Sequence, residues 1–383
     1  MTQSSDTSEK RNSDFERSGS AAKKGVPRSI WFHLHFWLGW ITAIPVILVC
    51  ISGGVLAFES YLRRWEFPEQ YDLVADSDPM SVDEVLELYR SAKPKLVVHH
   101  LGFPELPTHA YTAYVSMFDD NGKRTGGGFV IANQYTGELT YAGEKFTISG
   151  SMKELHRHLA AGEVGRQIVA ISSLILAVTC FIGLVLWWPM RGRTFARAWR
   201  RGRALDWHNA IGLVTLGPLV IMALTGVLLT YSSHIFPVLD KLQSEPSKPQ
   251  DPVVEVGEDQ EKLPVSVALG EIEKNFPDGK ITGVQPTGSS STPYVFFVNN
   301  DGLDYRVCMN PYTGTEMSRD DGRPKGAVSW FRKNYFKYHT LSFNLFTKSL
   351  WGTLSVAGGI LGMTGVLTSM RRWQRRAKSS SSS

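Results

Sequence analysis

Cysteine is scarce in this chain, and its placement excludes one class of fold. The 383 residues include three cysteines. Cys50 and Cys180 lie inside long apolar runs and Cys308 stands alone outside them. This pattern does not predict a disulfide-stabilised scaffold. A G-x-G-x-x-G turn after a predicted strand is also missing, so the chain has no fingerprint of a nicotinamide- or flavin-binding domain.

Charge is missing from the centres of four apolar runs. The mean hydropathy of −0.13 hides this division, because the runs alternate with polar blocks. They cover residues 31–61, 168–188, 211–231 and 345–370, and none has Lys or Arg in its centre. A bilayer core of ~30 Å needs ~20 apolar residues. The runs therefore predict four membrane-spanning helices.

Basic residues are concentrated beside these runs and predict the orientation. The link between the second and third runs has no acid before Asp206. Its arginines are Arg191, Arg193, Arg197, Arg200, Arg201 and Arg203, and the C-terminal tail adds Arg371, Arg372, Arg375, Arg376 and Lys378. The positive-inside rule then predicts a multi-pass membrane protein with both termini cytoplasmic, and in a Gram-negative cell the opposite face is the periplasm. The net charge of +5 reflects this topology and contact with membrane lipid, so we predict no nucleic-acid partner.

The same hydropathy pattern divides the chain into nine segments. The first 29 residues are rich in serine and charge and are predicted to be a disordered cytoplasmic segment. The predicted spans are residues 30–61, 156–190, 206–234 and 339–370, with extracytoplasmic modules at 62–155 and 235–338, a basic loop at 191–205 and a cytoplasmic tail at 371–383.

Four histidines stand near the starts of the predicted spans, in a pattern that predicts an internal duplication. His35 and His208 are each followed by glycine after 4 and 18 residues. Those spacings keep the glycines on the histidine face of a helix, where a planar ligand or another helix can approach. His156 lies 27 residues before Gly183, and His339 lies 26 before Gly365.

Both polar blocks repeat the order helix, strands, N-x-Y-T-G. That sequence occurs at 133–137 and 310–314 and is typical of a structural turn. The fold class predicted is therefore an α-helical membrane protein with four transmembrane helices and two periplasmic α+β modules, related by internal duplication.

The duplication predicts two metal-binding layers. His35 and His208 lie at the cytoplasmic side, and His156 and His339 at the outer side. Neutral imidazole is a usual axial ligand of haem iron, so we predict two b haems, one per layer. A single interfacial histidine is more typical of a membrane anchor, but four matched ones favour ligands. His158, His33 and His234 are alternative ligands, and His158 shares the ideal helical face of Gly183 better than His156 does.

Several motifs together resemble the PepSY-associated transmembrane proteins. They are LHFWLG at 34–39, LHR at 155–157 with GEVGR at 162–166, DWH at 206–208, and YHT at 338–340. The resemblance covers about residues 28–376 and departs at Phe36, where the family has arginine. It implies a PepSY-like fold for both modules and a di-haem ferric-siderophore reductase of the inner membrane. His35 and His208 would hold the cytoplasmic-side haem, and His156 and His339 the periplasmic-side haem.

Partners and alternatives follow from this interpretation. Electrons would come from a cytoplasmic donor or from membrane quinol, and the ferric siderophore would be the substrate. Tyr61, Arg63, Arg64, Trp65 and Arg157 could steer an anionic ligand or anchor the chain at the interface. Two alternatives remain open: another transmembrane cytochrome b subunit linked to quinol, or a haem-free PepSY binding or regulatory membrane protein.

Overall fold

The computed structural model describes residues 27–92, 96–142, 146–241, 251–256, 260–286 and 289–380. The segment predicted to be disordered lies outside the described residues up to residue 26. The helices are α1 (Arg28–Leu56), α2 (Glu59–Glu66), α3 (Pro68–Tyr71), α4 (Val82–Ala92), α5 (Ile148–His158), α6 (Gly162–Trp187), α7 (Thr194–Arg201), α8 (Ala204–Asp240), α9 (Val265–Asn275), α10 (Ala327–Thr340) and α11 (Leu345–Ser380). The strands are β1 (Leu96–Gly102), β2 (Tyr111–Phe118), β3 (Arg124–Ala132), β4 (Leu139–Tyr141), β5 (Lys280–Gln285), β6 (Tyr294–Asn300), β7 (Leu303–Met309) and β8 (Glu316–Asp320).

Four helices of the structure, α1, α6, α8 and α11, are long and apolar enough to cross a membrane. They form a bundle in which α1 packs on α6 and α11, and α8 packs on the same two helices. Val46, Cys50, Cys180 and Leu219 form a buried cluster in its interior. We use two names for the ends of this bundle. The terminal end is where α1 begins at Arg28, and the sheet end is where α1 ends at Leu56, on the side of the β-sheet.

The long helices have other bounds than the predicted spans. The first long helix ends at Leu56, whereas the predicted span extends to 61, and the fourth helix continues to Ser380, beyond the predicted end at 370. The predicted span at 156–190 is interrupted, because Leu159 and Ala160 have φ of 49° and 55° between α5 and α6. The span predicted at 339–370 breaks likewise at Leu341, with φ 43°. Leucine and alanine seldom adopt left-handed backbone, so these positions gave no local signal of a break.

The link predicted as a basic loop at 191–205 is largely helical. A 3₁₀ turn covers Trp188–Arg193, and α7 follows directly. The third long helix then runs from 204 to 240, longer than the predicted 206–234. Left-handed Gly202, with φ 58°, ends α7 and reverses the chain into α8. Glycine accepts this backbone at little steric cost.

The strands of the two polar blocks form one antiparallel sheet rather than two separate ones. Its order is β4-β3-β2-β1-β5-β6-β7-β8. The halves join where β1 pairs with β5, with Leu101 opposite Val284 and Gly102 opposite Gly283. Each half is a four-stranded meander, and the strand order is mirrored about this junction.

Helices α4 and α9 cover one face of this sheet and form its core. Tyr89, Ile272 and Phe296 are fully buried there. Burial of a large apolar side chain contributes about 1.5–3 kcal/mol. Ser81 and Glu84 form the predicted capping box of α4, with Glu84 Oε2 2.7 Å from the Ser81 amide nitrogen. The sequence pattern therefore identified this helix start correctly.

Both N-x-Y-T-G stretches form the same turn. The side-chain oxygen of Asn133 accepts a hydrogen bond from the Tyr135 amide at 2.9 Å, and Asn310 accepts from Tyr312 at the same distance. Gly137 and Gly314 follow with φ of 75° and 71°. These contacts support a structural role for the motif.

Candidate functional site

The structure brings the four histidines together in two pairs. His35 on α1 and His208 on α8 meet at the terminal end, with ring centroids 6.1 Å apart and ring planes at 80°. His156 on α5 and His339 on α10 meet at the sheet end, also at 6.1 Å, with planes at 59°. Two imidazoles that bind one metal ion through nitrogens at ~2 Å place their ring centres ~6 Å apart. Both pairs have that separation.

Each imidazole of these pairs hydrogen-bonds to a neighbouring helix through Nδ1. His35 Nδ1 lies 3.2 Å from the Thr179 carbonyl oxygen, and His208 Nδ1 lies 3.1 Å from that of Leu361. At the sheet end, His156 Nδ1 is 2.9 Å from the Val49 carbonyl oxygen. The Met222 carbonyl accepts from His339. A histidine that donates Nδ1–H to a carbonyl keeps Nε2 as its free metal-binding nitrogen.

A glycine of a neighbouring helix lies against every one of these imidazoles. A Cβ added at Gly183 or Gly365 would stand 3.2 or 3.3 Å from Cε1 of His35 or His208. At the sheet end, a Cβ at Gly53 would stand 2.8 Å from Cε1 of His156, and at Gly226 3.4 Å from that of His339. The glycines therefore allow the rings to approach the neighbouring backbone closely.

These contacts show which group approaches the more distant glycines. Gly53 shares a helical face with His35, yet it contacts His156 at the other end of the bundle. Gly53 and Gly226, each eighteen residues after a terminal-end histidine, therefore contact the sheet-end histidines. Eighteen residues of helix span ~27 Å. Among the nearer glycines, a Cβ at Gly39 would meet no atom within 4 Å, so space is open one turn from His35.

A regular second set of partners surrounds the histidines, which sequence reasoning did not identify. In all four cases the accepting carbonyl lies four residues before the glycine. In three cases a hydroxyl precedes the glycine directly: Ser52, Thr225 and Thr364 have Oγ atoms 3.4, 3.0 and 3.4 Å from the histidine Nδ1. Ile182 occupies the fourth such position, before Gly183. The recurring Ser/Thr-Gly dipeptide was the available signal.

The alternative ligands predicted from the sequence do not join these pairs. His158 Nδ1 lies 2.9 Å from Glu154 Oε2. The ring of His33 packs on Phe32 at 5.8 Å, and His234 Nδ1 is 3.2 Å from the Ser233 hydroxyl. Of the two candidates on α5, it is His156 that faces His339.

The composition of the pairs fits haem iron better than a tetrahedral metal. Within the described ranges, no His, Cys, Asp or Glu forms a group of three that could hold a metal ion. Structural zinc takes four protein ligands and catalytic zinc three. Two imidazoles instead complete the coordination of an iron already bound by four porphyrin nitrogens. The histidines, their fixed Nδ1 atoms and the open space at Gly39 therefore suit such a group.

Comparison with known families agrees with the membrane architecture. The family described as PepSY-associated TM region matches residues 32–372. The chain belongs to this family, which covers nearly its whole length. No curated protein matches the chain.

Proposed function

We propose that this member of the PepSY-associated TM region family is an inner-membrane reductase that holds two b haems and reduces ferric siderophores in the periplasm. The observation that carries the proposal is the pair of histidine layers. Each layer has two imidazoles 6.1 Å apart, and each imidazole is hydrogen-bonded through Nδ1. Structural histidines have no need of two such matched sets.

The residues of the bundle would hold the two groups at different depths. His35 and His208 would ligate the iron at the terminal end, and His156 and His339 the iron at the sheet end. When bound, haem would supply reversible one-electron chemistry. The carbonyls of Thr179, Leu361, Val49 and Met222 hold the imidazole rings and their tautomers.

The positions of the layers suit electron transfer across a membrane. His35 and Gly53 lie on one helix, ~27 Å apart by helical rise, and each contacts a different layer. The buried cluster of Val46, Cys50, Cys180 and Leu219 makes the bundle interior between the layers apolar. The arginines of the α6–α8 link favour a cytoplasmic terminal end, and the sheet would then lie in the periplasm.

The proposed reaction needs no covalent bond to the substrate. One electron converts siderophore-bound Fe(III) into Fe(II), whose lower charge weakens its binding to hard anionic oxygens. The reductant is a cytoplasmic donor or membrane quinol, and one quinol would reduce two ferric complexes and release two protons. The chain therefore has to bind the ferric complex near the sheet-end pair.

The test is a reduced-minus-oxidised visible spectrum of the purified protein with the haem content per chain. We expect two low-spin b haems, and their reduced bands should disappear when a ferric siderophore is added anaerobically. Reoxidation only by a redox protein would favour the quinol-linked cytochrome b alternative. A folded protein that takes up no haem, although expressed with haem supplied, would contradict the proposal and favour a haem-free binding module.

A further inference from the structure

The sheet has an open face, opposite α4 and α9, that carries a row of aromatic and histidine rings. Phe129 on β3 lies 5.5 Å from Tyr114 on β2, measured between ring centroids. Tyr114 lies 5.9 Å from His99 on β1. His100 on the same strand lies 5.4 Å from Phe297 on β6. We call these five residues the platform; they cross the junction between the two halves of the sheet.

An irregularity in β1 places both histidines on this face. Neighbouring residues of a regular strand point to opposite faces. The register between β1 and β2 shifts between Val98 and His100, so His99 is an extra residue. His99 Nε2 lies 2.8 Å from the Ser116 hydroxyl oxygen. Bulges of this kind redirect side chains and are frequent at functional sites.

The centre of the platform depends on a glycine. A Cβ added at Gly283 on β5 would stand 2.8 Å from Cε1 of His100, so the imidazole lies directly against the backbone. Burial lowers the pKa of His100. Burial therefore favours the neutral imidazole, which presents an aromatic surface rather than a charge.

The flanks of the same face are covered, whereas the platform stays accessible. Phe67, from α2–α3, packs over Ile131 of β3, which is 2% exposed. On the other flank, Asp251 contacts Cys308 and pairs with Arg306 on β7. Between these flanks Tyr114 and Phe129 remain 41% and 44% exposed.

A positive charge stands at one end of the platform. The Arg63 guanidinium lies 5.4 Å from the Phe129 ring centroid, and one nitrogen lies 3.2 Å from the Gln70 side-chain oxygen. In the part of the chain that the structure describes, no carboxylate forms an ion pair with Arg63. Its charge is therefore available to an anionic ligand.

This end of the platform connects to the sheet-end histidine pair. Arg63 lies on α2, and Glu59 of α2 pairs with Lys153 of α5 at 2.7 Å. Glu66 of α2 also accepts a hydrogen bond from the Ser149 amide at 2.9 Å. His156 lies on the same α5 helix. Two direct contacts thus join the helix beside the platform to the helix that carries a candidate ligand.

We propose that the platform binds the ferric siderophore and selects anionic complexes with aromatic donors, the catecholate class. The inference rests on the proposed function, because it names the substrate class of that reductase. Flat catecholate rings can stack on the five rings, and the net negative charge of a tris-catecholate complex complements Arg63. A tris-hydroxamate complex has neither the aromatic rings nor that charge.

The experiment uses the full-length protein in detergent and redox-inert Ga(III) complexes, so binding is measured without electron transfer. Calorimetry should give a Kd for a Ga(III) tris-catecholate at least tenfold lower than for a Ga(III) tris-hydroxamate. Tyr114→Ala and Phe129→Ala should each raise the tris-catecholate Kd about tenfold, as for other aromatic contact residues. Arg63→Gln should weaken binding most at low salt. Phe146→Ala, at a residue 89% exposed and outside the platform, should leave Kd unchanged.

Haem content separates this inference from the proposed function. A protein with two haems that binds both Ga(III) complexes equally, or whose Tyr114 and Phe129 variants bind like wild type, overturns the platform and leaves the reductase intact. A protein without haem that binds the tris-catecholate through Tyr114 and Phe129 supports the platform as a binding site and removes the reduction step. If Tyr114→Ala or Phe129→Ala loses haem, the substitution has disrupted the fold. The more conservative Tyr114→Leu and Phe129→Leu are then measured in the same way.

Discussion

The two histidine pairs have the same ring separation but are held in different ways. At the terminal end, His35 and His208 lie within long helices of the bundle. At the sheet end, His156 and His339 lie on the short helices α5 and α10, which end at the left-handed leucines Leu159 and Leu341. The first pair is positioned by packing of the long helices and by hydrogen bonds to the carbonyls of Thr179 and Leu361. The second pair also depends on the two left-handed turns and, for His156, on the contacts of α5 with α2 through Lys153–Glu59 and Ser149–Glu66.

The largest effect should come from removing a ligand. We expect His208→Ala to remove the terminal-end haem and His339→Ala the sheet-end haem, each leaving one haem per chain, because a lone imidazole binds iron much more weakly than a pair. Pyridine haemochrome spectra measure the content. His158→Ala is the matched control on α5 and should retain two haems. Two haems in every variant would show that the ligands lie elsewhere.

The next largest effect should come from the glycine contacts. Gly53→Ala places a Cβ 2.8 Å from Cε1 of His156 and should displace that ring, lowering the haem content at the sheet end while sparing the terminal end. Gly217→Ala on α8, where a Cβ meets nothing within 4 Å, serves as control. Low-temperature spectra that resolve the two haems make the comparison. Equal losses at both ends would indicate general destabilisation instead.

Strain in the turn at Leu159 and Ala160 can be tested by alanine-to-glycine substitutions, which should have opposite effects on stability in this turn and in a regular helix. Ala160 is exposed and has φ 55°, so Ala160→Gly should stabilise the protein by about 1 kcal/mol. Ala196 is exposed within α7, where the same change should destabilise by about 1 kcal/mol. Thermal unfolding midpoints should therefore move in opposite directions. A lower midpoint for Ala160→Gly would show that the turn is not strained.

The smallest effect should come from the hydroxyls beside Nδ1. Thr225 Oγ1 lies 3.0 Å from His339 Nδ1, and an acceptor there makes the imidazole a stronger donor to oxidised iron. Thr225→Val should raise the midpoint potential of the sheet-end haem. The corresponding change in the free energy of reduction should be less than about 1 kcal/mol. Ile182→Thr adds the missing hydroxyl near His35 and should lower the terminal-end potential. A redox titration followed optically measures both, and unchanged potentials would leave the hydroxyls with a packing role only.

Sequence alone was sufficient for the features that depend on local pattern. Four apolar runs predicted the four long helices, since hydropathy and length govern insertion in a bilayer. The matched spacings around His35 and His208 identified the residues that the structure brings into pairs. The capping box of α4 and the Asn133 and Asn310 turns were also correct, because their contacts reach no further than a few residues.

Only the tertiary structure decided which distant groups meet. It joined the two predicted modules into one sheet through β1 and β5, and it placed Gly53 of α1 against His156 of α5. It also broke the predicted spans at Leu159 and Leu341, where left-handed backbone is imposed on residues that do not favour it. Such contacts are fixed by packing between segments far apart in the chain. The spacing of residues within one segment therefore cannot predict these contacts.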